Sequence, residues 1–315
     1  SVDGGVSWTT AIPTSTSAAR THVTISSTGV LYAVVSDANR RVYRSSDGVS
    51  WTDISPPNFQ SITQSMQRGV LAVAPSNPNT VYLAFSNPYG SSGIIFMKYG
   101  YLSGNGSGAG GAWEDRTSNV INSPVVSLSS GTQGGYDMLL GVYPQNENIV
   151  FLGGVSFYRS MDGFQTPSQV SGNTGIHSDH HAITFFSDGR GLAANDGGVY
   201  ISVGSVLLTG SIQWSSLNSG YINSQFYHIA IDEQTSGSNV VMGGMQDNGT
   251  YLTATNGLGA WQGTGSGDGV YSAITKWGTN RMVYSSYQNG NIYSRMILNG
   301  AGSLSNYSTS KIDPI

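Results

Sequence analysis

Residues 175–202 read GIHSDHHAITFFSDGRGLAANDGGVYIS. A loop rich in His and Asp leads into an apolar strand, and a Ser-Asp-Gly turn follows. A second strand runs into Asn195-Asp196-Gly197-Gly198, and a third begins at once. Asp-Gly and Asn-Gly pairs are what tight hairpins require, because their central residues must reach positive φ. Weaker copies of this unit lie on either side. Val70 to Ala84, Leu139 to Gly153 and Ile229 to Gly243 each alternate apolar residues around a polar turn. The copies recur about every 40–50 residues, the spacing of four-stranded propeller blades.

A second repeat runs through the first. Ser1-Val2-Asp3-Gly4-Gly5-Val6-Ser7-Trp8 returns as Ser45-Ser46-Asp47-Gly48-Val49-Ser50-Trp51. It returns again, degraded, as Ser160-Met161-Asp162-Gly163-Phe164-Gln165-Thr166. The pattern has a physical reason. Asp accepts the turn's own amides, Gly takes the positive φ, and Trp or its substitute plugs the join to the next sheet. Asp3, Asp47 and Asp162 are therefore structural. Six blades are expected, near 20–57, 68–118, 135–170, 180–218, 225–263 and 269–312, with Trp51, Trp113, Trp214 and Trp261 near the starts of fourth strands. Residues 1–12 read as an outer strand that closes the ring or belongs to a truncated seventh blade. The expectation is an all-β protein, a single β-propeller domain over 1–315 with six to seven four-stranded antiparallel blades.

Composition narrows the function. Charged residues are 10% of the 315, the net charge is −4 and the pI is near 5.6. The thirteen Lys and Arg are scattered, so no basic face for nucleic acid is expected. With no cysteine, disulfides, thiolate metal sites and cysteine nucleophiles are excluded. No apolar run approaches the roughly 20 residues of a membrane helix. The chain opens in mid-motif, which predicts a piece of a longer secreted multidomain protein.

Strand alternation assigns the faces. The first and third hairpin turns of each blade lie on one face, and the Asp-Gly turns of the second repeat belong there. The middle turns and inter-blade links lie on the other, and this face collects unusual residues in blades four to six. They are His177, Asp179, His180 and His181; Asn195 and Asp196; Tyr221; Gln246, Asp247 and Asn248; Asp268; and Gln288. The glutamates are Glu114, Glu147 and Glu233, none of them expected on this face, so carboxylate chemistry there must use Asp. The run from His177 to His181 has metal-ligand residue types but no distant fourth ligand. No metal and no cofactor are assigned.

The repeated Asp turns resemble the Asp-box of sialidases, sortilin-type receptors and xyloglucanase-type hydrolases. From about Tyr136 to Arg295 the pattern is similar to secreted bacterial propellers labelled glycosyl-hydrolase-like or sortilin-like. Asn195-Asp196-Gly197-Gly198-Val199-Tyr200 is similar to the Asp-x-Gly-Gly-x-Tyr segment that carries one catalytic acid in xyloglucanase-type hydrolases. Ala194-Asn195 stands where that group has Arg-Thr. The resemblance implies a glycosidase with Asp196 and either Asp247 or Asp268 as paired acids, and Tyr221, Tyr227 and Tyr271 stacking on sugar. Such a pair stands roughly 6.5–9.5 Å apart in an inverting enzyme and about 5–5.5 Å in a retaining one. The competing reading is a non-catalytic extracellular or cell-surface module that binds glycan or protein or builds an assembly. In it His177, Asp179, His180, His181, Asn195, Tyr221, Gln246, Asn248 and Gln288 contact the ligand. Low charge, the wealth of Ser, Thr, Asn and Gly, and the start in mid-motif favour the module.

Overall fold

The structure is a computed structural model. It describes residues 1, 3–12, 20–36, 40–57, 59, 68–86, 94–101, 111–123, 136–221, 224–255, 257 and 259–308. The fold is all-β and of β-propeller type, built as six four-stranded blades. The chain divides into two compact units, Ser1–Ser219 and Gly220–Ile315.

The first unit holds four blades. Blade one is β1 (Arg20–Ile25), β2 (Leu31–Ser36), β3 (Arg41–Ser45) and β4 (Thr52–Asp53). Blade two is β5 (Arg68–Ala74), β6 (Asn77–Ser86), β7 (Ile94–Tyr101) and β8 (Gly111–Asp115), followed by the single turn of α1 (Thr117–Ile121). Blade three is β9 (Leu139–Val142), β10 (Val150–Gly153), β11 (Phe157–Ser160) and β12 (Val170–Thr174). Blade four is β13 (His180–Phe185), β14 (Gly191–Asn195), β15 (Gly198–Ser202) and β16 (Ile212–Ser216). The second unit holds blade five, β17 (Phe226–Ile231) to β20 (Gln262–Gly265), and blade six, β21 (Ser272–Trp277) to β24 (Leu304–Ser308). Six blades lie near the expected ranges, except that the fourth strand of blade three, Val170–Thr174, runs past the expected end of that blade.

Middle strands read as continuous apolar runs because both faces are covered by neighbouring blades. Val34, Leu83, Phe85, Val150 and Phe151 are buried in this way. The Asp turns close the outer hairpins as their chemistry requires. Asp47 accepts the amides of Val49 and Ser50 at 2.8 and 2.7 Å, and Asp162 those of Gln165 and Thr166 at 3.1 and 3.0 Å. Gly48 and Gly163 take φ of 75° and 67°. Phe164, standing where the other copies have Val, is fully buried and packs on Phe96 with ring centres 4.7 Å apart. Burying a ring of that size stabilises the join by about 1.5–3 kcal/mol.

Two features depart from the sequence reading. No described residue of 1–12 lies in a strand. The Asp3 carboxylate draws Ser1 and Ser7 into a local turn, and the Trp8 indole donates back to Gly5 O at 3.1 Å. Trp8 is 79% exposed, so here it plugs no join. The stretch is a self-contained turn rather than the outer strand expected of it. Blades three and four, in turn, are one eight-stranded sheet, because β12 and β16 pair in parallel through Asn173–Ile212 and Thr174–Gln213. Side chains lock that join: the Trp214 indole donates to Asn173 Oδ1 at 2.7 Å, and Thr174 Oγ1 to Gln213 Oε1 at 2.8 Å.

Candidate functional site

In the first unit, two links and one hairpin turn bring the site residues together. The link into β9 supplies Tyr136 and Asp137, and the link into β13 supplies His177 to Asp179. The turn between β14 and β15 supplies Asp196 and Gly197. Backbone bonds fix these pieces. Asp196 N donates to Asp179 O at 3.3 Å, and His180 N to Gly154 O at 2.9 Å. Asn195 joins link to turn, donating to His177 O at 3.0 Å while its Oδ1 accepts Gly197 N at 3.0 Å. Gly197 admits no side chain, because a Cβ there would stand 2.5 Å from the His177 Cβ and Cγ.

His180 and His181 point to opposite sides, as alternation predicts. His180 is 2% exposed, whereas the His181 side chain remains 35% exposed. Alternation does not extend back through the link, because Asp179 takes φ of 62°, a left-handed conformation rather than an extended one. A bulge shapes the strand end: His180 pairs with Asn195 and Ala182 with Ala194, leaving His181 as the extra residue. Bulges re-aim side chains beside binding sites. Here His181 Nε2 meets Asp196 Oδ1 at 2.7 Å. The Tyr136 hydroxyl lies 3.1 and 3.2 Å from the two oxygens of the same carboxylate. The Tyr136 and His181 rings meet edge to face at 5.1 Å. Arg68 holds Tyr136 in place by donating to its carbonyl at 2.7 Å, and Tyr136 stays 52% exposed.

Tyr136 and Asp137 were not singled out in the sequence. Asp137 is fully buried, and neither of its carboxyl oxygens meets a donor. Burial, then the neighbouring Asp179 carboxyl, then the charge of Asp196 push its pKa up to about 7. The signal that could have found it is positional. Asp137, Asp179 and Asp268 all stand in links, within four residues of the next blade's first strand. His180 moves the other way. Burial and the positive potential of His177 and His181 bring it down to about 4.

The second unit uses its predicted residues for architecture. Asp268 accepts Asp247 N at 2.8 Å and Gln288 Nε2 at 2.5 Å, so one carboxylate ties together the middle turns of blades five and six. Asp247 sits in the turn with φ of 58°. Asn248 donates to Gln246 O through its backbone at 2.7 Å and its side chain at 3.1 Å. Tyr221, Tyr227 and Tyr271 are all more than half exposed. Tyr271 packs on His228 at 5.1 Å. The proposed acids are thus divided, with Asp196 in the first unit and Asp247 and Asp268 in the second. Asn195 is buried, with both ends of its amide engaged.

Among the described residues, no group of three or more His, Asp or Glu side chains is arranged to hold a metal ion. None of the described helices is long and apolar enough to cross a membrane. No known family model and no curated protein matches the chain. Solved structures do. YCF48 from Cyanidioschyzon merolae is 12% identical, covering 96% of this chain and 89% of that one, with a TM-score of 0.38. The GH74 xyloglucanase from Xanthomonas campestris is 11% identical over 90% of this chain and 44% of that one, with a TM-score of 0.41. The GH74 enzyme of Niastella koreensis is 15% identical over 97% of this chain and 57% of that one, with a TM-score of 0.37. At such identities the likeness concerns the fold alone.

Proposed function

We propose that this chain is an extracellular or cell-surface β-propeller module that binds a neutral polysaccharide at Tyr136, His181 and Asp196 without cleaving it. The observation that carries this reading is the half-exposed Tyr136 ring, its hydroxyl held on the Asp196 carboxylate beside His181. Sugars are bound by a flat apolar face together with fixed polar groups, and the cluster offers both in one place. Low charge and the many Ser, Thr, Asn and Gly residues support an extracellular setting.

A glycosidase reading has one feature behind it, the upward push that burial and the neighbouring Asp179 carboxyl give the Asp137 pKa. Such an acid must reach the glycosidic oxygen while a second carboxylate acts on water or on the anomeric carbon. Asp137 is closed off from solvent, and Asp268 is bound by two donors. These facts weigh for binding.

Electrophoresis through gels containing xyloglucan or β-glucan tests the reading. The protein should be retarded by at least one polymer without releasing reducing ends. Tyr136→Ala should weaken retardation tenfold or more, a loss of about 1.4 kcal/mol. Unretarded migration in both gels would refute the binding site. Release of reducing ends that Asp196→Asn abolishes would make the chain a hydrolase.

A further inference from the structure

A cavity of about 360 Å³ opens at the end of blade three, on the opposite side of β13 from His181. Its walls are Val155 and Ser156 of the β10–β11 turn, Phe157 and Tyr158 of β11, Gly172 and Asn173 of β12, and the link residues Ile176 to Ser178. His180 closes it. The volume lies near the lower end of the roughly 300–1,000 Å³ of small-molecule pockets, enough for one ring rather than a chain.

The walls are fixed before any ligand arrives. Asn173 donates to Phe157 O at 2.8 Å and accepts the Trp214 indole at 2.7 Å. His177 is held by the Asn195 bond to its carbonyl and by the close approach of Gly197. Its own Nδ1 lies 3.1 Å from Ser178 O. His180 packs on Phe157 at 4.8 Å. One polar atom is left over. The Nδ1 of His180 is buried and has no hydrogen-bond partner, in a side chain that lines the cavity. Burying a polar nitrogen without a partner is unfavourable, and a partner reaches this one only when the imidazole turns toward the cavity. No Asp, Glu, Lys or Arg contributes to the walls. The lining is hydroxyl, amide and imidazole on one hand and Val155, Phe157 and Ile176 on the other.

We infer that this cavity is a subsite for one uncharged, hydroxyl-bearing ring, a neutral sugar residue, whose hydroxyl meets the Nδ1 of His180 once the imidazole turns toward it. The inference rests on the glycan-binding reading and adds a second position to the open cluster around Tyr136. Its neutrality is reinforced by the depressed His180 pKa, which keeps the imidazole uncharged at neutral pH.

Saturation-transfer NMR with glucose, xylose, galactose and mannose, and with glucuronate as the charged control, tests it. At least one neutral sugar should receive saturation, and glucuronate should not. His180→Phe should weaken that binding at least tenfold. Gly172→Leu keeps the test independent of any folding defect at His180. A Cβ at Gly172 meets nothing within 4 Å, so the added side chain fills the cavity without a clash at its root. It should abolish binding with the melting temperature unchanged. Tyr136→Ala should leave the monosaccharide signal intact, so polymer retention that this variant does not weaken refutes only the open cluster. Absence of saturation for every neutral sugar, equal binding of glucuronate, or insensitivity to both cavity variants would overturn the subsite.

Discussion

Asp137 and His180 are buried ionisable groups whose pKa values move in opposite directions, and each makes stability depend on pH. The pKa of Asp137 rises from 3.8 to about 7 in the folded chain. Between those values the folded state holds the extra proton, so stability falls as pH rises and levels off above about 7. The pKa of His180 drops from 6.5 to about 4. There the unfolded state holds the extra proton, so stability rises with pH across that window and is lost as pH falls through it. Between pH 4 and 6.5 the two slopes oppose each other, and only substitution separates them. Asp137→Asn removes the falling limb. It should raise the melting temperature at pH 8 and leave it unchanged or lowered at pH 4.5. Thermal scans from pH 4 to 9 check this, and an unaltered pH profile would show that Asp137 carries no such proton. His180 stood out in the sequence because it sits in a dense His/Asp run. Asp137 did not, because a lone Asp after Gly-Gly-Tyr reads as loop chemistry. Only the fold shows that Asp179 and Asp196 converge on it.

At the level of elements, buried arginines join the blades. The guanidinium of Arg159 in β11 donates to Val206 O and Gly210 O of blade four, both at 2.6 Å, and to Ser171 Oγ at 2.9 Å. Arg116 does the same one blade earlier, reaching Gly163 O at 2.7 Å in the Asp162 turn. A planar fork suits two carbonyls on one loop better than an ammonium does. Arg159→Met should lose about 3 kcal/mol, since it removes charge-assisted donors from two carbonyls and leaves that of Val206 buried without one. Urea unfolding measures the loss, and a change below about 1 kcal/mol would show the clasp to be incidental. The strands themselves were legible because alternation and Asp-Gly turns are local signals. The parallel pairing of β12 with β16 was not, because nothing local marks two fourth strands as neighbours. The bulge at His181 was equally hidden, being a matter of register between two strands. The same bulge recurs in blade five, where Phe226 pairs with Met245, His228 with Gly244, and Tyr227 is left over.

At the scale of the whole molecule, the polar residues of middle turns and links are divided by task. In the first unit they leave an exposed ring, a carboxylate and a cavity. In the second they hold turns together, with Asp268 bound to Asp247 and Gln288. Sequence alone assigned His177 to His181, Asp196, Asp247, Asp268 and Gln288 to one face, passed over Tyr136, and could not tell these roles apart, because Asp-Gly suits a hairpin and a binding loop equally well. Hydrogen exchange followed by mass spectrometry, with and without xyloglucan or β-glucan, makes the distinction directly. The account predicts protection at 136–138 and 175–181 in the presence of a bound polymer. Exchange at 245–249 and 286–289 should stay unchanged, and the polymer should keep its length. Protection confined to the second unit, or shortening of the polymer during the incubation, would contradict it.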